Sequence, residues 1–552
     1  MTSTNAVRRL AVSAALGALV LLPLQSSAAV VAGNPANNSY QQYKVVLDGG
    51  QSGEPSIGWD PVRKTAMYGA GQGISRLRWD DTRTGSPMTQ TPVTPTTGTL
   101  VTLDTIVTVD SATGRTFFAE LAAAGSIISF SDDAGATWTQ STGVALPALL
   151  DHESVGVGPF APGIPHPLAT SAVYYCAQNG FNGACGVSYD GGTTYAPATY
   201  AYNTPANDIG DPNPTFAAEG GACSALHGHL KVGPDGTAYL PVKGCGGTPS
   251  ASSLTNQEYI GGVPSVSVST DNGATWAVRM NPTGNNSDES DNSIAIGPKG
   301  TVYMAWEDGI NISTSEGSHT SSARVSISTD QGRTWLNTTN LNPAGINNVM
   351  FPVVVSGDDD RAAVAFLGTS GIGDDQQNGV FQGSWDMYVA TTYDRGLTWS
   401  TVNATRGDWV HRGCIDDQGI APGSPKNNIC SNRKLLDFND ISIDSTGRVL
   451  VAFTKTCTTP ACRTAKPSVN DASVSTDNAD YVLRQASGKG LYAAGDGGLP
   501  ATAVTAGGGT ASGTPGLANT AAVGAGGAAG VAGLVALGAI PAAAAWRRRR
   551  RR

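Results

Sequence analysis

The amino-acid sequence predicts an all-β protein, a β-propeller of four-stranded antiparallel blades, with seven blades preferred and six as the alternative. One observation behind this prediction is a turn pattern, Ser/Thr-x-Asp-x-Gly-x-Thr-Trp/Tyr, that recurs along the 552-residue chain. The five copies, here called the Asp turns, begin at Ser131, Ser188, Ser269, Ser328 and Thr392, at intervals of 57, 81, 59 and 64 residues. Repeats of this size are typical of supersecondary units that share a core.

The second observation is a strand–turn–strand hairpin that precedes each Asp turn. Four hairpins are clear, at 230–242, 294–306, 353–366 and 441–453, and three degenerate ones lie at 57–69, 106–118 and 155–176. A hairpin followed by an Asp turn and a further strand makes one four-stranded blade. Seven hairpins therefore predict seven blades within residues 40–484.

The first and last hairpins are followed by degenerate Asp-turn candidates, at Arg78–Asp81 and Ser475–Tyr481. The segment around Lys44 to Leu47 is predicted to pair with the last blade and close the ring, since an unclosed ring would leave an exposed sheet edge.

Each residue type in the Asp turn has a structural explanation. Ser and Asp side chains accept hydrogen bonds from backbone N–H groups of the turn, and Gly adopts the positive φ that other residues disfavour. The final Trp or Tyr anchors the returning strand in the apolar layer. The Asp and Trp residues of the pattern are therefore predicted to be structural and not catalytic.

The pattern closely resembles the Asp-box, or BNR, repeat of the sialidase superfamily. This resemblance implies the propeller fold and a glycan-directed role, and the six blades usual in sialidases are the basis of the six-blade alternative. Sialidases also bind the substrate carboxylate with three arginines, the first in an Arg-Ile-Pro motif, and use a Glu-activated Tyr with an Asp acid/base. This sequence has no Arg-Ile-Pro, and no arginine between its N-terminal segment and Arg63. The resemblance therefore covers the fold and leaves the activity open.

Both ends of the chain predict export and anchoring. Residues 1–32 have the Arg8-Arg9 pair, the apolar run and the small residues of a secretory signal. Residues 485–520 form a Gly/Ala/Thr-rich stalk, residues 521–546 a transmembrane segment, and residues 547–552 an arginine tail that favours the cytoplasm. The stretch LANTA before the span resembles a sortase signal, so processing at Thr520 and a permanent membrane anchor are alternatives.

Charge and cysteine content narrow the class of protein. The chain has 43 acidic and 34 basic residues, and without the signal and tail arginines the net charge falls to −17, which excludes a typical nucleic-acid-binding surface. Eight cysteines fit an exported protein. Eight cysteines allow 105 pairings, and nearest-neighbour pairing, one of them, gives Cys176–Cys185, Cys223–Cys245, Cys414–Cys430 and Cys457–Cys462. No spacing matches a zinc site, so no metal centre is predicted.

Strand order divides the predicted propeller into two ends. The first-to-second and third-to-fourth turns, including the Asp turns, lie at one end, here called the turn end. The second-to-third loops and the links between blades lie at the other, the loop end. The long segments 206–226, 243–262, 280–291, 307–323, 368–384 and 403–436 all belong to the loop end, where binding residues tend to collect.

Polar residues occur where the innermost strands should begin at the loop end. In chain order they are Glu54, Asp104, His152, Glu153, His227, His229, Asp291, Asn292, Asn439 and Asp440, with Phe351 at the same place in another blade. One interpretation is a hydrated channel lining, and the other is a ligand pocket. For a pocket, Glu54, Glu153, Asp291 and Asp440 are catalytic candidates, because glycoside cleavage uses two carboxyl groups. His152, His227 and His229 are candidate ligand-binding residues.

Two functions follow as hypotheses: a surface enzyme of the sialidase-like glycoside hydrolase type, and a noncatalytic adhesion propeller for glycan or protein ligands. In the second, Trp409 and Arg412 of segment 403–436 contribute to the contact surface. No cofactor is predicted. The acidic clusters Asp288–Asp291 and Asp374–Asp375 offer the oxygen ligands that calcium prefers, although a solvated acidic loop is the alternative.

Overall fold

The computed structural model is all-β and consists of seven four-stranded antiparallel blades arranged as a seven-bladed propeller. The preferred prediction of seven blades is confirmed. Among the residues that the structure describes, helix is limited to α1 (Pro460–Thr464) and a 3-10 turn at Ala493–Gly495. The structure describes residues 29–30, 37–48, 53–96, 101–122, 125–142, 151–163, 168–178, 182–202, 223, 226–246, 248–249, 259–260, 262–284, 290–309, 320–373, 381–415, 433–464 and 478–496.

Two strands precede the first blade, β1 (Ala29–Val30) and β2 (Ser39–Val45). Blade 1 consists of β3 (Ser56–Asp60), β4 (Thr65–Ala70), β5 (Gly73–Trp79) and β6 (Met88–Pro92). Blade 2 consists of β7 (Val101–Val109), β8 (Thr116–Ala122), β9 (Gly125–Ser131) and β10 (Thr139–Gln140). Blade 3 consists of β11 (Asp151–Gly158), β12 (Ala172–Gln178), β13 (Gly183–Ser188) and β14 (Thr199–Tyr200).

Blade 4 consists of β15 (Lys231–Val232), β16 (Ala238–Cys245), β19 (Val263–Ser269) and β20 (Ala277–Met280), with the short pair β17 (Thr248–Pro249) and β18 (Tyr259–Ile260) between its second and third strands. Blade 5 consists of β21 (Ser293–Ile296), β22 (Val302–Asp308), β23 (Ser322–Ser328) and β24 (Leu336–Asn340).

Blade 6 consists of β25 (Asn348–Ser356), β26 (Ala362–Thr369), β27 (Ser384–Thr392) and β28 (Thr398–Asn403), extended by β29 (His411–Arg412), which pairs with β27. Blade 7 consists of β30 (Asp440–Ile443), β31 (Val449–Thr456), β32 (Asn478–Ser487) and β2. Strand β1 runs parallel to β28 and lies within the segment predicted to be a secretory signal.

Neighbouring blades touch through their first strands, as β3 does with both β7 and β30. The first strand of each blade is therefore innermost and faces the central channel, as predicted. Apolar side chains fill the spaces between adjacent blades, and Trp306, Trp385 and Trp399 are among the largest fully buried residues.

The ring is closed by β2, which pairs antiparallel with β32 from Tyr40 opposite Gln485 to Val45 opposite Asp480. The predicted closure is thus confirmed, with the strand beginning at Ser39 and not near Lys44. The predicted degenerate Asp turn at Ser475–Tyr481 is wrong. Because the N-terminal strand supplies the fourth strand of blade 7, that blade has no third-to-fourth turn, and residues 478–481 instead begin its third strand.

All five Asp turns lie between the third and fourth strands of a blade and share one hydrogen-bond network. In the first, Ser131 Oγ accepts from Gly135 N at 2.7 Å, while Asp133 accepts from Thr137 N at 2.8 Å and Thr137 Oγ1 at 2.7 Å. Gly135 has φ +85°, and a Cβ there would lie 2.6 Å from the side chain of Val93. The same contacts recur in the other four turns, through Asp190, Asp271, Asp330 and Asp394.

The packed unit continues beyond residue 484, where the stalk was predicted to begin. Leu491 is fully buried in the core of blades 6 and 7, and Asp496 forms two hydrogen bonds of 2.6 and 2.7 Å with Arg361. The boundary at 484 is therefore too early, because the buried Leu491 and the ion pair between Asp496 and Arg361 follow it. In the part of the chain that the structure describes, no helix is long and apolar enough to cross a membrane; the predicted span at 521–546 lies outside that part.

Three of the predicted disulfides are formed: Cys176–Cys185, Cys223–Cys245 and Cys457–Cys462. Cys414 is also disulfide-bonded, and its predicted partner, Cys430, lies outside the described residues. The three described bridges fasten second strands, or the chain next to them, at the loop end.

Candidate functional site

The loop end of the channel has an irregular backbone. Strands β7, β11 and β25 each carry a register shift at their loop-end start, as between Asp151 and Ser154 in β11. Such bulges redirect side chains and are common next to functional sites. Glu54, His152 and Phe351, each at this level of a different blade, have positive φ values of 54°, 49° and 55°. A left-handed conformation costs a residue other than glycine about 1 kcal/mol or more, so the surrounding structure must stabilise it.

The predicted inner-strand residues meet around one narrow cavity. Its lining includes Glu54, Asp104, His152, Glu153, His227, His229 and Asp291, together with Thr105, Ile106 and Phe438. Asp440 lines an adjoining cavity that shares His229, Asp291 and Phe438 with the first. The structure therefore brings together all four carboxylate candidates and all three histidine candidates at the loop end of the channel.

His152 connects two carboxylates across the channel. Its Nδ1 lies 3.2 Å from Asp291 Oδ2, and its Nε2 lies 3.6 Å from Asp437 Oδ2. Asp291 is also 3.6 Å from Lys243 Nζ, and Asp437 accepts a hydrogen bond of 3.0 Å from Arg433. Burial by itself would raise the pKa of both carboxyls, but His152 and these cations lower the pKa of each below its ordinary value. Both aspartates are therefore ionised at neutral pH.

Glu54 has the opposite protonation state. Burial, followed by the charges of Asp437 and Asp104, raises the pKa of Glu54 well above its ordinary value. Its side chain hydrogen-bonds to Asp437, so a protonated carboxyl lies against an ionised one. Its backbone N–H donates to Leu435 O at 3.1 Å, and this approach requires Gly53, because a Cβ there would lie 2.2 Å from the same oxygen.

The other two histidines of the cavity, His227 and His229, are neutral at pH 7. Burial lowers the pKa of His227 to about 4 and also lowers the pKa of His229. His227 Nδ1 lies 3.0 Å from Gly228 O, and the His229 ring packs edge-on against Phe438 at 4.6 Å between centroids.

The remaining carboxylate candidates differ in their surroundings. Asp440 accepts hydrogen bonds from the backbone of Ile57 and Ile441, both at 2.8 Å, and thereby joins blade 7 to blade 1. Glu153 is buried in the cavity wall, near the phenol of Tyr175. Asp440 therefore stabilises the contact between two blades through backbone hydrogen bonds.

Trp409 and Arg412 lie elsewhere, next to β29 on the outer side of blade 6. The guanidinium of Arg463 stacks 4.2 Å from the Trp409 ring, and that of Arg412 lies at 5.5 Å. Asp408 completes this group with a 2.6 Å ion pair to Lys455. Neither Trp409 nor Arg412 lines the channel cavities, so the structure separates these two ligand-binding candidates from the other three.

Sequence reasoning missed four residues of the site: Asp437, Phe438, Lys243 and Arg433. The first two precede the predicted strand start at Asn439 and Asp440, and they lie in a segment without a strand pattern. Lys243 belongs to a second strand, where no channel residue was expected. The one available sequence signal is the spacing of Arg433 and Asp437, four residues apart, which form an ion pair.

No metal site is evident in the described part of the chain, where no group of three or more His, Cys, Asp or Glu side chains is placed to hold an ion. Of the two acidic clusters considered for calcium, Asp288, Glu289, Asp374 and Asp375 lie outside the described residues, while Asp291 belongs to the channel site.

Comparison with known proteins gives similarity of fold only. No protein-family model matches the sequence, and no curated protein is detectably similar to it. Solved structures with a similar fold include a protein of unknown function from Dyadobacter fermentans (13% identity, TM-score 0.35, 80% of this chain and 99% of that chain). They also include the GH74 xyloglucanase of Xanthomonas campestris (14%, 0.39, 75% and 53%) and the intramolecular trans-sialidase of Ruminococcus gnavus (10%, 0.31, 74% and 92%).

Proposed function

We propose that this protein is an exported, surface-anchored propeller that hydrolyses glycosidic bonds at the loop end of its channel. The observation that carries the proposal is a contrast in protonation. Glu54 keeps its proton, whereas Asp437, which it contacts, and Asp291, which lines the same cavity, are ionised. Two carboxyl groups whose surroundings separate their pKa values are the requirement for acid-assisted glycoside cleavage.

The residues divide the chemistry between them. Glu54 donates its proton to the glycosidic oxygen as the bond from that oxygen to the anomeric carbon breaks and the oxygen takes the electron pair. Water then adds to the anomeric carbon, and an ionised aspartate, Asp291 or Asp437, takes the proton that the water loses. His152 contacts both aspartates and is the positioning residue that keeps them in place.

Export and anchoring rest on the two ends of the chain. The signal at 1–32 would direct secretion, and the span at 521–546 with its arginine tail would hold the protein at the surface. Digestion of cell walls separates the two anchoring alternatives: cleavage at Thr520 leaves a covalent wall fragment on the released protein, whereas a permanent membrane anchor leaves none.

Sugar release from a broad glycan panel tests the hydrolysis. Glu54→Gln keeps a hydrogen-bond donor toward Asp437 but removes the acid, so the rate should fall about 10²- to 10⁴-fold with little change in melting temperature. Asp132→Asn, an exposed carboxylate at the turn end, is the matched control and should retain full activity. Release of no sugar by the wild type, or full activity of Glu54→Gln, would contradict the proposal.

The second candidate function is noncatalytic adhesion, and the group around Trp409 favours it. An indole ring with two guanidinium groups close to it presents the aromatic and cationic surface common in binding hot spots. A glycan and protein array should then give a ligand whose binding is lost in Trp409→Ala and retained in Glu54→Gln.

A further inference from the structure

Carboxyl groups dominate the lining of the channel cavity. Those of Asp104, Glu153 and Asp291 line it together with the protonated Glu54, and no lysine or arginine is among the described residues of the lining. The nearby cations Lys243 and Arg433 are paired with Asp291 and Asp437. An acidic cleft with walls of low dielectric concentrates cationic ligands and repels anionic ones.

An independent observation concerns hydrogen bonding. His227 lines the cavity, is 1% exposed, and its Nε2 has no hydrogen-bond partner among the described residues. Its Nδ1 faces Gly228 O at 3.0 Å and therefore carries the ring proton. Nε2 is then an acceptor that needs a donor. Thr105 Oγ1, which is also buried in the lining, likewise has no hydrogen-bond partner among the described residues.

We infer that the channel selects glycans that carry a free amino group, and this inference rests on the proposed hydrolase function. An ammonium group supplies three N–H donors and a positive charge, which match the bare acceptor of His227 and the carboxylates of Asp104 and Asp291. A uronic or sialic acid carboxylate would instead meet like charge. Substrate preference should therefore be opposite to that of an arginine-lined sialidase site.

Calorimetric titration of the full-length chain in detergent tests this inference. The Glu54→Gln background prevents turnover, and the probes are tetramers of glucosamine, N-acetylglucosamine and galacturonate. The amino tetramer should bind about tenfold tighter than the acetylated one, as expected for one partly screened charge pair, and the preference should shrink at high salt. Asp104→Asn should reduce the preference, whereas Asp360→Asn, exposed at the turn end, should leave it intact.

The outcomes separate the two proposals. Equal binding of the amino and acetylated tetramers, or tightest binding of galacturonate, overturns the inference even if the wild type cleaves a neutral glycan. Preferential binding of the amino tetramer without cleavage by the wild type supports the inference and overturns the hydrolysis. Binding of lysine-rich peptides but of no glycan overturns both.

Discussion

The turn end and the loop end of this propeller are built on opposite principles. At the turn end, five Asp turns repeat one network in which each carboxylate accepts the same hydrogen bonds. At the described part of the loop end, the blades contribute acidic, imidazole and aromatic side chains to one cavity, and the backbone adopts positive φ at Glu54 and His152. Repetition with satisfied polar groups indicates selection for stability, whereas strain and mixed protonation states indicate a binding or catalytic task.

The titration behaviour of the two ends differs in the same way. At the turn end, hydrogen bonds, first those from Thr137, lower the pKa of Asp133 to about 2. In the other four Asp turns, burial raises the pKa but the summed hydrogen bonds outweigh it, so the pKa is lowered as well. At the loop end, burial raises the pKa of Glu120 and Glu307 to about 7, and it also raises the pKa of Glu54 well above its ordinary value.

The largest effect on stability should come from breaking the ion pairs of Arg484 at the turn end, where blade 7 meets blade 1 and the ring closes; this contact is here called the seam. Arg484 of blade 7 bonds to Asp81 of blade 1 at 2.6 Å and to the buried Asp444 at 2.9 Å. Arg484→Ala leaves a buried carboxylate without its partner, which should cost about 3–5 kcal/mol of unfolding free energy in urea. Arg484→Lys, which keeps the charge, should recover part of this loss.

The matched control for the seam is Arg333→Ala, an exposed arginine on the Asp turn of blade 5. It should change the unfolding free energy by less than about 0.5 kcal/mol. If Arg484→Ala unfolds at the same urea concentration as the wild type, the ion pairs of the seam do not stabilise the closed ring.

A smaller loss should follow from breaking one Asp turn. Asp133→Ala removes three hydrogen bonds to a carboxylate and should cost about 2 kcal/mol. The neighbouring Asp132→Ala removes an exposed ion pair with Arg115 and should cost less than about 1 kcal/mol. The same change at Asp271, Asp330 and Asp394 should cost the same within about 0.5 kcal/mol, and unequal losses would contradict the equivalence of the turns.

The contrast between the ends also explains what the sequence could predict. The Asp turns are local patterns whose hydrogen bonds lie within a few residues, so their structure follows directly from the residues. Glu54, His152 and Asp291 were found because strand order determines where each innermost strand begins. Asp437 was missed because it lies in a loop before a strand, where no periodicity marks a direction.

Two other differences have non-local causes. The position of Trp409 depends on the pairing of β29 with β27, a contact between segments that share no pattern. The segment Ser475–Tyr481 matches the Asp-turn pattern in composition only. In blade 7 the N-terminal strand β2 is the fourth strand, so no turn to a following strand is needed there.

The last prediction concerns a slope and not a single loss: a pH dependence of stability that originates at the loop end. Because burial raises the pKa of Glu307 to about 7 in the folded chain, the folded state binds one more proton than the unfolded state between about pH 4.5 and 7. Stability from this group is fully present below its ordinary pKa and is lost as the pH rises, by at most about 1.4 kcal/mol per pH unit.

Glu307→Gln keeps a partner for Ser290 and should flatten the slope of unfolding free energy against pH. Glu54 and Glu120 respond in the same direction, so part of the slope should remain. Asp133→Asn should leave this window unchanged, since its pKa of about 2 affects stability only below about pH 4; an unaltered slope in Glu307→Gln would show that the buried carboxyl is ionised.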